Sequence, residues 1–167
     1  MKRIFLATVA MLISGLSYGQ HYKNSIGIRL ADGGYYNSAS VAFKTFITQP
    51  GALEFDLGFD SNKWHGDRYQ NVALSGTYQH HFQIGTIPGF KWFVGGGLIL
   101  SNTFVKDSDL EGGFNAGLYP TGGIDYKLKK APFAFSADIR PTVHIVRGYD
   151  RYDGFYANGG LTARYTF

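Results

Sequence analysis

Residues 53–59, "LEFDLGF", alternate without a slip. Leu53, Phe55, Leu57 and Phe59 share one parity, and Glu54, Asp56 and Gly58 share the other. Successive side chains of an extended strand point to opposite faces, so this spacing gives one wholly apolar face and one wholly polar face. A helix would scatter both sets around its circumference.

The same period runs through most of the chain. In 133–145, Phe133, Phe135, Ala137, Ile139, Pro141, Val143 and Ile145 oppose Ala134, Ser136, Asp138, Arg140, Thr142 and His144. In 114–128, Phe114, Ala116, Leu118, Pro120, Gly122, Ile124, Tyr126 and Leu128 oppose Asn115, Gly117, Tyr119, Thr121, Gly123, Asp125 and Lys127. Looser versions occur around 25–30, 40–47, 71–82, 92–101 and 155–167, which makes eight segments of roughly 9–13 residues. No stretch holds a helical apolar stripe for three turns. The connections alternate in kind. "TQPG" (48–51), "GTIPG" (85–89) and "KKAP" (129–132) are short and carry turn residues, whereas 32–37, 60–68, 102–112 and 147–153 are longer and polar. All short turns therefore fall on one rim and all longer loops on the other, as in an outer-membrane barrel.

The first residues belong to another regime. Lys2 and Arg3 precede an apolar run from Ile4 to Leu16 and then Ser17-Tyr18-Gly19. That is the layout of an export signal cut after Gly19, and the run is too short for a bilayer-spanning helix. Residues 1–19 are thus expected to be a cleaved signal peptide and 20–167 one barrel domain. Removing Lys2 and Arg3 lowers the formal charge from +4 to about +2. No Lys/Arg cluster remains to suggest nucleic acid. An exported chain without cysteine must find its stability outside disulfides.

Eight alternating strands fit either a soluble barrel with an apolar core or a transmembrane barrel turned inside out. Three features favour the second. The polar face sets Arg29, Lys44, Glu54, Asp56, Asp125, Asp138, Arg140, His144 and Arg164 among Gly, Ser and Thr. Small residues are what a narrow eight-stranded bore needs beside a few large charged side chains, whereas glycine is a poor residue for a solvated strand surface. Aromatics of the apolar face gather near segment ends: Phe82, Trp92, Tyr126, Phe133, Tyr165 and Phe167 at one rim, Phe59, Phe114 and Phe155 at the other. Amphipathic rings settle at the two headgroup levels. Finally, 9–11 tilted residues span roughly 25 Å, the height of the apolar band, and soluble strands are shorter. The expected fold is therefore all-β: an eight-stranded antiparallel up-and-down transmembrane β-barrel, with segment eight closing on residues 23–31 so that no edge is left.

"GLTARYTF" (160–167), with Leu161, Ala163, Tyr165 and the terminal Phe167 on one parity, resembles the C-terminal signal of outer-membrane barrels. The mature pattern over 22–167 resembles the small barrels of the OmpA/OmpX kind. The resemblance implies localisation in the outer membrane of a Gram-negative bacterium, contact with its lipid and lipopolysaccharide, and recognition of the last strand by the barrel assembly machinery. It departs from OmpA in having no periplasmic domain after segment eight, so tethering to the cell wall is not expected.

Catalytic constellations are thin. His80 and His81 are adjacent, so at most one enters the bore, and there is no cysteine or His-x-His to seed a metal site. The chain resembles lipid A deacylases in size and strand count, but their motif places a serine two residues after a histidine. Here those positions are Lys23, Asp67, Phe82, Gln83 and Val146. No enzymatic activity, metal or cofactor is expected. The charged bore is read as an ion-pair network that fills the barrel, giving a structural or envelope-interaction role; a narrow pore for ions or small solutes is the alternative. "GGYY" (33–36), "KWHG" (63–66) and "YDRYD" (149–153) offer binding-prone residue types for an extracellular ligand whose nature the sequence leaves open. Pro120 and Pro141 each remove a ladder donor, which predicts bulges or edge positions nearby.

Overall fold

A computed structural model describes residues 22–32, 39–64, 67–106, 112–148 and 154–167. The expected signal peptide and much of the longer connections lie outside these residues. Every regular element among them is a strand: β1 (Asn24–Asp32), β2 (Ala39–Phe46), β3 (Gly51–Trp64), β4 (Asp67–Gln83), β5 (Phe90–Lys106), β6 (Gly113–Lys127), β7 (Phe133–Arg147) and β8 (Phe155–Thr166). Each pairs antiparallel with the next, and β8 returns to β1 to close the barrel. Closure runs from Ser25↔Thr166 to Asp32↔Gly159. Just below it, Asn24 and Phe167 exchange backbone hydrogen bonds of 3.0 and 2.9 Å. No strand edge is left unpaired along the described wall, which is the condition for a sheet to sit in hydrocarbon.

The alternation has the sense that the sequence implied. Leu161 is 68% exposed and Ile145 65%, whereas Arg29 and Lys44 are fully buried and Arg164 is 1% exposed. Leu53 is half-buried, and Phe55, Leu57, Ile139 and Val143 face outward; Glu54, Asp56 and Arg140 are enclosed. This reverses the arrangement of a soluble protein, whose charged residues are almost never fully buried. The outward aromatics pair across neighbouring strands near the turn rim. Phe82 stacks on Trp92 with centroids 4.4 Å apart, and Phe133 meets Tyr165 edge-on at 5.9 Å.

The strands β3 to β7 are longer than the alternation suggested, at 14–17 residues. Residues Asp60–Trp64 continue β3 and pair with Asp67–Asn71 of β4, so most of the expected 60–68 loop is hairpin. The expected loop at 102–112 is likewise strand as far as Lys106. The three short connections are tight, and the β4–β5 turn uses Gly85 and Gly89 at φ of 51° and 83°, where only glycine is comfortable.

Both prolines weaken the same rung. Leu118↔Val143 and Gly122↔Ile139 are in register, which sets Pro120 opposite Pro141, and no pairing spans Tyr119–Thr121 and Arg140–Thr142. Neither proline has an N–H to give. By facing one another they confine the loss to one rung, while Gly96↔Pro120 and Pro141↔Ala157 keep the outer ladders in register. The Thr121 hydroxyl partly bridges the gap, donating to the Ile139 carbonyl at 3.2 Å. A register shift follows between Ala116 and Gly117, as the prolines predicted.

A candidate functional site in the barrel interior

Inward positions of all eight strands converge on the bore, and there the charges find one another. Arg140 on β7 reaches across the barrel: Nη1 donates to Asp56 Oδ2 at 2.6 Å, Nη2 to Glu54 Oε1 at 2.7 Å and Nε to Asp138 Oδ1 at 2.9 Å. Arg29 on β1 grips Asp138 through two bonds of 2.7 and 3.2 Å and also donates to Asn158 at 2.8 Å. Arg164 on β8 joins Glu54 at 2.8 Å and Asp125 at 3.0 Å. Lys44 on β2 bonds Asp125 at 2.8 Å and lies 3.5 Å from Glu54. Four cations and four carboxylates thus form one connected cluster with a net charge of zero.

Such a cluster survives burial because each charge has a partner at hydrogen-bonding distance; an isolated ion here would cost several kcal/mol. Asp56 depends most on a single partner. Besides Arg140, it takes only a 3.0 Å bond from Ser75, on the same oxygen, and its Oδ1 has none. Glycine provides room. A Cβ at Gly160 would overlap the Arg29 guanidinium, one at Gly97 the Tyr119 ring and one at Gly123 the Phe93 ring. The small residues and the large ones therefore fit as pairs.

The structure brings eight of the nine expected interior residues into this cluster: Arg29, Lys44, Glu54, Asp56, Asp125, Asp138, Arg140 and Arg164. His144 is also inward but lies toward the loop rim, its ring 5.4 Å from that of Tyr156. Lys127 shares the inward parity yet stays at the turn rim, where Nζ donates to the carbonyls of Leu128 and Ala131. Of the two adjacent histidines, His81 enters the bore between Phe46 and Phe93, and His80 faces outward beside Tyr78 and Phe82. Leu161, Ala163, Tyr165 and Phe167 all lie on the outer face of β8 or at its end.

The sequence reading missed a second plug. Ala73, Ile99, Tyr119 and Tyr156 form a small apolar cluster inside the bore, with Val105 packed against it. Tyr119 links the two layers: its hydroxyl is 2.7 Å from Thr77 Oγ1, and the Arg140 guanidinium lies 5.5 Å from its ring centre. Ile99, Tyr119 and Tyr156, large residues on the inward parity of their strands, were the available signal.

At the turn-rim mouth, Tyr22 packs edge-on against Phe46, with centroids 5.3 Å apart. Burial pushes the Tyr22 phenol well above its ordinary value, and the nearby Asp125 charge adds to this. A cavity of about 20 Å³, room for a water molecule, lies there between Tyr22, Phe46, Lys91, Asp125 and Lys127. Among the described residues no group of three or more His, Cys, Asp or Glu side chains is placed to hold a metal ion.

Solved structures share this architecture. The crystal structure of Neisserial surface protein A superposes with a TM-score of 0.60, covering 87% of this chain and 97% of that one at 13% identity. The N-terminal β-barrel domain of Pseudomonas aeruginosa OprF gives 0.55, covering 88% and 100% at 19% identity. The fold is that of the small eight-stranded outer-membrane barrels. No protein-family model matches the chain, and no curated protein matches it in sequence.

Proposed function

We propose that this chain is an integral barrel of a bacterial outer membrane, with a structural or envelope-interaction role and a bore closed by its own side chains. One observation carries the reading: apolar side chains cover the outside of a closed barrel while four cations and four carboxylates neutralise one another inside. Water around that exterior would face a continuous apolar belt far beyond the patches soluble monomers expose. Hydrocarbon around it costs nothing. The neighbours' own descriptions, a surface protein and the barrel domain of a larger protein, support the envelope setting.

On this reading residues 1–19 direct export. The outward face of β8, with Leu161, Ala163, Tyr165 and Phe167, is presented to the barrel assembly machinery, and the outer residues meet phospholipid and lipopolysaccharide. The interior supports a non-enzymatic role, because the four cations and four carboxylates of its ionic cluster are spent on one another. Ionic and apolar layers stacked in the bore support closure over conduction.

Two measurements test this. Membrane fractionation with heat-modifiable gel migration is expected to place the protein in the outer membrane and show a compact band that shifts on boiling; a soluble, unshifted protein would refute membrane insertion. In planar bilayers the wild type is expected to show no steady single-channel steps. Regular steps altered by Asp138→Ala or Arg140→Ala would replace the plugged barrel with a narrow pore.

A further inference from the structure

The barrel sorts its charges by depth. Of the twelve acidic residues in the sequence, Glu54, Asp56, Asp125 and Asp138 are in the ionic cluster, Asp60 is buried in the loop-side half of β3, and the other seven fall at or beyond the loop-side strand ends. None lies among the turn-rim residues 22–24, 46–51, 83–91, 127–133 and 165–167. That rim holds Lys23, Lys91, Lys127, Lys129 and Lys130, and no arginine. Asp125, the carboxylate nearest to it, is already neutralised by Lys44 and Arg164.

We propose that the turn rim is a docking surface for anionic glycerophospholipid headgroups in the leaflet it faces. The inference rests on the membrane reading above. Lys23, Lys129 and Lys130 are exposed. Lys91 and Lys127 are committed, the first with Nζ 5.5 Å from the Phe46 ring centre and the second to two turn carbonyls. The three exposed amines stand at headgroup height, because the aromatic girdle lies directly beneath them. Phe90 meets Tyr126 edge-on at 5.9 Å, Phe133 meets Tyr165 likewise, and Tyr165 stacks with Phe167. Rings fix that level, and lysine stems are long enough to reach phosphates around it. A polymer lying on the barrel axis would be met chiefly by Lys91 and Lys127, which are the two committed amines; this is why lipid is the favoured occupant. A lysine near an anionic surface contributes up to about a five-fold preference, screened by salt.

The test uses the full barrel in vesicles of phosphatidylcholine containing a minor fraction of phosphatidylglycerol. Electron spin resonance of spin-labelled lipids reports which headgroup is held at the protein boundary. The wild type is expected to prefer phosphatidylglycerol several-fold at low salt. Lys23→Gln/Lys129→Gln/Lys130→Gln is expected to bring the preference near parity, and the matching triple Lys→Arg variant to keep it. Parity in the wild type, or an unchanged preference in the glutamine variant, overturns the proposal. So does lysine-dependent binding to isolated peptidoglycan sacculi in place of phosphatidylglycerol. Heat-modifiable migration is measured first on each sample. A barrel that fails to insert counts against the membrane reading, and one that inserts without headgroup preference counts only against this proposal.

Discussion

Replacing Arg140 by glutamine removes the cation that touches three carboxylates. Their fates differ. Glu54 keeps Arg164 at 2.8 Å and Lys44 at 3.5 Å, and Asp138 keeps Arg29 at 2.7 Å. Asp56 keeps only the Ser75 hydroxyl. The variant therefore buries one orphaned carboxylate in a bore whose charge has gone from zero to −1. Breaking a buried pair from one side costs about 3–5 kcal/mol. Adding Asp56→Asn restores neutrality and is expected to bring stability back to within about 1–2 kcal/mol of wild type, since removing both partners of a buried pair is far less damaging. Glu54→Gln or Asp138→Asn in the same background also restores net charge but leaves Asp56 orphaned, and so should rescue clearly less. Urea unfolding in vesicles, followed by tryptophan emission from Trp64 and Trp92, supplies the free energies. An Arg140→Gln cost below about 1 kcal/mol, or equal rescue by all three partners, would refute the assigned pairing.

Gly160→Ala places a methyl group where the Arg29 guanidinium lies, and should cost about 1–3 kcal/mol by the same unfolding assay. Gly159→Ala, at an outward-facing position with open space where the methyl would stand, serves as the control and should be near neutral. Pro120→Val/Pro141→Val returns two N–H donors to the missing rung and is expected to stabilise the barrel by about 1–3 kcal/mol. An unchanged unfolding midpoint would mean that the rung is not lost through the prolines. Tyr22 supplies a pH signature. Its folded phenol ionises only above the ordinary value of 10.0 because it is buried. Its contribution is therefore complete below pH 10 and is lost as pH rises toward the folded value, with a slope approaching about 1.4 kcal/mol per pH unit. Tyr22→Phe should flatten the stability profile above pH 10 and leave it unchanged near neutrality.

On the membrane reading, the spanning part of this barrel was written into its sequence because hydrocarbon leaves a charged side chain only the inner face. A charge such as Glu54 has one permissible side of its strand, so parity alone sorted the residues. Where the chain leaves the apolar band the constraint stops. From Asp60 to Lys63 the sequence is polar on both parities, and the ladder continues with no pattern to announce it. Pairing inside the bore was equally silent, for a physical reason: Arg140 on β7 reaches β3 across the lumen, and such a partnership depends on closure, tilt and stagger, none of which a single strand records. Pro120 and Pro141 could be read as lost donors, but that they share one rung follows only from the register.

The balance of the interior has an electrical corollary. A potential across the bilayer acts on a mobile group through its net charge, at about 2.3 kcal/mol per elementary charge per 100 mV. A bundle of four positive and four negative side chains that moves as a unit feels no such force. Voltage alone therefore has no handle by which to expel this stopper, and opening the barrel requires first separating an acid from its base.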